Sequence, residues 1–93
     1  MSGGPIRVGV RFVGRVQGVG FRAVCRDIAC GFPVTGTVRN EADGSVWLEA
    51  QGSEEAVGVF IDSILERMGR LVQSHQQSRL AAVAGETIFS IGR

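Results

Sequence analysis

Between Pro5 and Met68 the apolar side chains recur at every second residue, then at helical spacing, then at every second residue twice over, then at helical spacing again. That succession restricts the fold more than any single residue does. Ile6, Val8, Val10 and Phe12 alternate with Arg7, Gly9 and Arg11, so Pro5 to Val13 is predicted as a half-buried strand. Phe21, Val24, Cys25, Ile28 and Ala29 then form a stripe along one side of a helix expected to end at Gly31. From Pro33 to Asn40, Val34, Gly36 and Val38 alternate with Thr35, Thr37 and Arg39 and lead into the turn Glu41-Ala42-Asp43-Gly44. Ser45 to Gln51 completes a hairpin, with Val46, Leu48 and Ala50 set against Trp47, Glu49 and Gln51, and Gly52 closes the strand. Trp47 is read either as a binding aromatic or as a ring lying across the open face of the sheet.

A second helix starts at Ser53, a suitable N-cap with Glu54 and Glu55 in the first turn. Its stripe is Val57, Phe60, Ile61, Ile64, Leu65 and Met68, and Arg67, Gly69 and Arg70 supply the stop signals. Beyond Leu71 the pattern weakens into a polar edge strand near Val72 to Arg79 and a short final strand over Thr87 to Ile91. The order β-α-β-β-α-β with one further strand is that of an α+β split βαβ, or ferredoxin-like, sandwich. A chain of 93 residues has room for one such domain, residues 1–93, with residues 1–4 as a flexible tail.

The stretch Gly14-Arg15-Val16-Gln17-Gly18-Val19-Gly20-Phe21-Arg22 joins the first strand to the first helix. Its glycines can adopt backbone angles closed to other residues and turn successive N–H groups into a concavity suited to an anion. Arg22 falls in the first turn of the helix, where the dipole disfavours a cation unless an anion is bound there. Backbone donors, a helix start and a guanidinium fork together match the oxygens of a phosphate group. Because the first two strands are parallel through a right-handed crossover, their C-terminal ends share one edge of the sheet, which brings Asn40 toward the loop.

Composition narrows the chemistry further. With 44% hydrophobic residues and a net charge of +1, the chain has no general polyanion-binding surface, so any anion site is local. Nothing resembles a signal peptide or a membrane span, and a cytoplasmic location is expected. Cys25 and Cys30 fit neither a redox pair nor a metal site and are expected to be buried. His75 has no partner nearby in the sequence and is read as a solvated strand residue. A phosphate cradle with one arginine and one amide suits phosphoryl transfer from a good leaving group such as a carboxylate, with an oriented water as nucleophile and no metal.

These residues carry a resemblance. Gly14 to Arg22 resembles the first signature of the acylphosphatases, and Gly36-Thr37-Val38-Arg39-Asn40-Glu41-Ala42-Asp43-Gly44-Ser45-Val46 resembles the second, with the downstream glycine at Gly52. The similarity runs from about Ile6 to Ile91. It implies a mixed, mainly antiparallel five-stranded sheet with two helices on one face, and hydrolysis of acyl phosphates to a carboxylate and inorganic phosphate without a cofactor or metal. It also implies that Arg22 binds the substrate phosphate, that Asn40 places the attacking water, and that backbone groups of Gln17, Gly18, Val19, Gly20 and Phe21 complete the cradle. Thr37 stands where many relatives have an aromatic residue, a change expected to affect packing on the open face. A small-molecule acyl phosphate is the expected partner, with no nucleic acid or membrane, and the chain is expected to be a monomer.

Three other readings compete. The same kind of domain resembles the opening segment of large carbamoyltransferases that mature hydrogenases, which would make this chain a carbamoyl-phosphate-binding module. Gly18, Gly20 and Ala23 also satisfy a dinucleotide-binding spacing, but a hairpin at Asp43-Gly44 leaves too few parallel strands. An RNA-binding sheet would need exposed stacking aromatics, for which Trp47 is the one candidate.

Overall fold

The computed structural model describes residues 4–92. Five strands and two helices follow one another as β1 (Ile6–Gly14), α1 (Phe21–Ala29), β2 (Thr35–Asn40), β3 (Val46–Gly52), α2 (Glu54–Met68), β4 (Val72–Leu80) and β5 (Phe89–Ile91). The expected tail over residues 1–4 lies almost wholly outside the described residues. The strands form one sheet in the order β4-β1-β3-β2-β5, parallel between β2 and β5 and antiparallel elsewhere. β1 and β2 are both antiparallel to β3, so they run parallel to each other with β3 between them, as the split βαβ order requires.

Alternation decides which side chains face the helices. Val10 and Phe12 on β1, Val38 on β2 and Val46, Leu48 and Ala50 on β3 are all fully buried on one face. α1 covers it with Phe21, Cys25 and Ala29, and α2 with Val57, Phe60, Ile61 and Ile64. The Phe12 and Phe21 rings are 5.1 Å apart, and Phe89 meets Phe60 edge-on at 5.4 Å, which ties the short β5 to the second helix. Ser53 caps α2 as expected, its hydroxyl accepting from the Ala56 amide at 3.1 Å.

Two local expectations fail. α1 stops at Ala29, and residues 30–32 tighten into a turn in which the Gly31 amide donates to Ile28 O and the Phe32 amide to Ala29 O. Gly31 therefore is not needed as a left-handed cap. Cys25 is buried, which pushes its thiol up to about 12, but Cys30 is exposed. Five residues turn a helix by about 140°, so Cys30 lies off the stripe that buries Cys25.

The opposite face of the sheet is not simply open. Arg7, which alternation assigns to the outside, is only 4% exposed, because the connection from β4 to β5 crosses over it. Its guanidinium donates to Glu49 Oε1 at 2.7 Å, to Gln51 Oε1 at 3.0 Å and through two nitrogens to Glu86 at 2.9 and 3.2 Å. Trp47 lies flat across Gly9, donates its indole N–H to Glu49 at 2.8 Å and receives the Arg11 guanidinium over its ring. The ring is a structural cover, and Thr37 faces this side, half-buried opposite Glu49.

Burial raises the Glu49 carboxyl, but hydrogen bonds from Trp47 and Arg7 outweigh it and leave it below the usual 4.5. The hydrogen bond from Arg7 holds Glu86 below the same value against a smaller effect of burial. Arg7 is raised, by Glu86 first, and stays charged throughout the acid range. Depressed carboxyls contribute stability that is complete above their unfolded values and is lost as the pH falls through their folded ones. Urea midpoints should therefore drop between about pH 5 and pH 3, less steeply in Glu86→Gln. Identical slopes in the two proteins would contradict this account.

Candidate active site

The C-terminal ends of β1 and β2 meet the start of α1 at one edge of the sheet. Gly18 and Gly20 have φ of 76° and 78°, and the intervening Val19 has negative φ. Alternating signs of φ curl a backbone so that its N–H groups converge, and a Cβ at either glycine would force left-handed strain although space is available. Gly20 is the N-cap of α1, no side chain caps the helix, and no acidic residue occupies its first turn. The donors at this helix start, with the positive end of its dipole, are left for an anion or solvent.

Beside them is a cavity of about 160 Å³ lined by Gly18, Gly20, Phe21, Arg22 and Asn40, with Val16, Ala23 and Ile91 as its remaining walls. It is well below the roughly 300–1,000 Å³ of sites that enclose drug-sized ligands. An oxyanion fits; the remainder of a substrate must lie outside. Asn40 shares the parity of Gly36 and Val38 on β2, so its amide points to the helix side, and Gly36 itself permits the strand to lie flush, since a Cβ there would be 1.8 Å from Glu49 O. Asn40 Oδ1 is buried and has no hydrogen-bond partner among the described residues. That acceptor is open to a donor brought into the cavity.

Of the residues singled out from sequence, Gly18, Gly20, Phe21, Arg22 and Asn40 are brought together. The Phe21 ring itself is buried against Phe12, so only its backbone is available at the loop. Val19 projects outward, 40% exposed, and Gln17 turns its side chain away from the cavity. The Gln17 amide donates to Glu41 O at 2.8 Å and Ser45 O at 2.9 Å, fastening the loop to the hairpin that follows Asn40. Sequence reasoning treated Gln17 only as a source of backbone donors and did not foresee this tie. Ile91 was missed as well, because nothing in the weak C-terminal pattern marks it as a wall of the site. His75 is exposed on β4, as expected.

Gln17→Ala removes the donor from two carbonyls and unties loop from hairpin. We expect it to cost about 1–2 kcal/mol in urea unfolding and to lower the affinity for inorganic phosphate, measured by calorimetry. Unchanged stability and affinity together would show the tie to be incidental.

A larger cleft of about 610 Å³ lies between the outer sides of the helices, lined by Ile28, Phe32, Ser63, Glu66 and Arg67. It is remote from the glycine loop and Asn40. Among the described residues no cluster of three His, Cys, Asp or Glu side chains could hold a metal, and no helix is long and apolar enough to cross a membrane.

Fold and edge together define a small ferredoxin-like α+β domain with the donor set of an anion site. The family model described as acylphosphatase matches residues 8–91. The chain is 39% identical over 88 residues to an acylphosphatase of Methanospirillum hungatei, covering 94% of this chain and 97% of that one. It is 51% identical over 65 residues to an acylphosphatase of Salinibacter ruber, covering 70% and 68%. The crystal structure of acylphosphatase from Bacillus subtilis is similar with a TM-score of 0.84 at 28% identity, over 95% of this chain and 99% of that chain. The chain belongs to the acylphosphatase family.

Proposed function

We propose that the chain hydrolyses acyl phosphates by direct attack of water on phosphorus, with the phosphoryl group held at the start of α1. The observation that carries this reading is the coincidence, in one small cavity, of an uncapped helix start, Arg22 and the unpartnered Oδ1 of Asn40. In this reading the backbone N–H groups of the loop and the Arg22 fork bind the three non-bridging oxygens, whose shared charge they match in a loose transition state. Asn40 Oδ1 accepts one hydrogen of the attacking water and leaves its lone pair directed at phosphorus. The P–O bond to the acyl oxygen breaks, the carboxylate departs with that electron pair, and the second product is inorganic phosphate carrying the protons of the water. A carboxylate is stable enough to leave without a general acid, so no acidic side chain is required at the far side.

The cavity holds only the phosphate end, which supports recognition of acyl phosphates as a class rather than one acyl group. The reading has the chain working as a cytoplasmic monomer on a small molecule, without nucleic acid or a cofactor; light scattering that gives the mass of more than one chain would correct the first point. The decisive test is release of inorganic phosphate from a simple alkyl or aryl acyl phosphate by the purified protein in the presence of a chelator. Absence of release from folded protein would sink the proposal.

A further inference from the structure

β5 is three residues long and joins the sheet through one parallel pairing, Gly36 opposite Phe89 to Val38 opposite Ile91. The Gly36 amide donates to Ile88 O at 3.1 Å and the Gly92 amide to Val38 O at 2.8 Å. So short an edge strand cannot fix its own register strongly, yet it carries Ile91 into the cavity beside Arg22 and Asn40. Phe89 is held on the helix side by Phe60, and a second restraint lies on the other side of the sheet.

β4 and β5 occupy opposite edges, so residues 81–88 must cross the whole sheet. Four strand spacings amount to about 19 Å, and the nine steps from Leu80 to Phe89 reach about 30 Å when fully extended. About a third of that reach is spare, and two anchors take up the slack. Gln51 makes a reciprocal pair with the backbone of Val83, both bonds at 2.8 Å. Closer to β5, the buried Arg7 fork grips Glu86. With so little free length between Glu86 and Phe89, displacement of the anchor is passed to β5.

We propose that Arg7 and Glu86 are a positioning pair for the reaction: by pinning the crossing segment to the back of the sheet they set where Ile91 stands as a wall of the site. This rests on the reading of that cavity as the active site. Glu86 is the residue to change, because it is partly exposed and Arg7 keeps its bond to Glu49 when Glu86 is removed.

In Glu86→Ala, measured well below its melting temperature, kcat/KM should fall roughly threefold to tenfold, the range for changes transmitted through packed neighbours. Amide exchange at Gly92 should quicken. Ile91→Ala should lower kcat/KM to a similar extent, and Glu86→Ala should add nothing to it in the double variant. Glu86→Gln, which keeps one acceptor for Arg7, should recover most of the loss. Effects that multiply in the double variant, or a lower melting temperature with kcat/KM intact, would overturn the inference and leave the pair a plain stabilising contact. Were wild type itself inactive, the functional reading would fail separately, and unaltered exchange at Gly92 would then overturn the positioning role as well.

Discussion

Arg22→Ala should lose at least about three powers of ten in kcat/KM, the scale found when an arginine that meets a transferring phosphoryl group is removed. It should also lose inhibition by inorganic phosphate. The two losses are linked because Arg22 stands in the first turn of α1, where a cation is disfavoured by the dipole unless an anion is present. The charge is therefore placed for the ligand and not for the helix, and the variant should be as stable as the parent or slightly more so. Arg22→Lys should restore little, since a single ammonium cannot reproduce the planar fork that spans two oxygens. Measuring phosphate release and phosphate inhibition on the same preparations decides the matter. Inhibition that survives in Arg22→Ala would move the binding role to the loop backbone alone.

Asn40→Ala should separate binding from turnover. Removal of the amide should lower kcat by about two to three powers of ten, as when one aligned transition-state group is lost, with phosphate inhibition retained. The structure adds a second arm to this expectation. Oδ1 is buried and accepts from no protein donor among the described residues, so its removal breaks no hydrogen bond within the fold; the variant should unfold at a urea concentration equal to or above that of the parent. Lower activity with equal or greater stability is the signature of a residue kept for chemistry at the expense of the fold. Loss of both would instead make Asn40 a structural amide. Asn40→Asp should be worse than Asn40→Ala for phosphate affinity, because it adds a carboxylate beside the bound anion.

Much of this protein is legible in its sequence because alternation and helical spacing are local signals. The pattern from Ile6 to Met68 yields five elements in order, the burial of Val10, Phe12, Val38, Leu48 and Phe60, and a glycine loop placed between strand and helix. The parity that buries Gly36 and Val38 also directs Asn40 to the helix side. Element ends were less legible: α1 closes through a tight turn two residues before Gly31, since backbone amides rather than a left-handed glycine satisfy its last carbonyls.

The remainder depended on contacts between residues far apart in the chain. Alternation states which side of a sheet a residue faces and not what will cover that side, so nothing local marks Arg7 as buried beneath a segment 79 residues away. The same limit hid the Gln17 amide, whose acceptors are carbonyls of a hairpin 24 and 28 residues on, and Ile91, whose place follows from β5 adding parallel to β2. The sequence by itself determined the elements, their inward faces and the loop that can turn its N–H groups to an anion. Only the tertiary structure decided how large the cavity is, that Asn40 Oδ1 is left without a partner in it, and which distant strand closes it, because those depend on the crossing of the chain over the sheet and not on any periodic pattern along it.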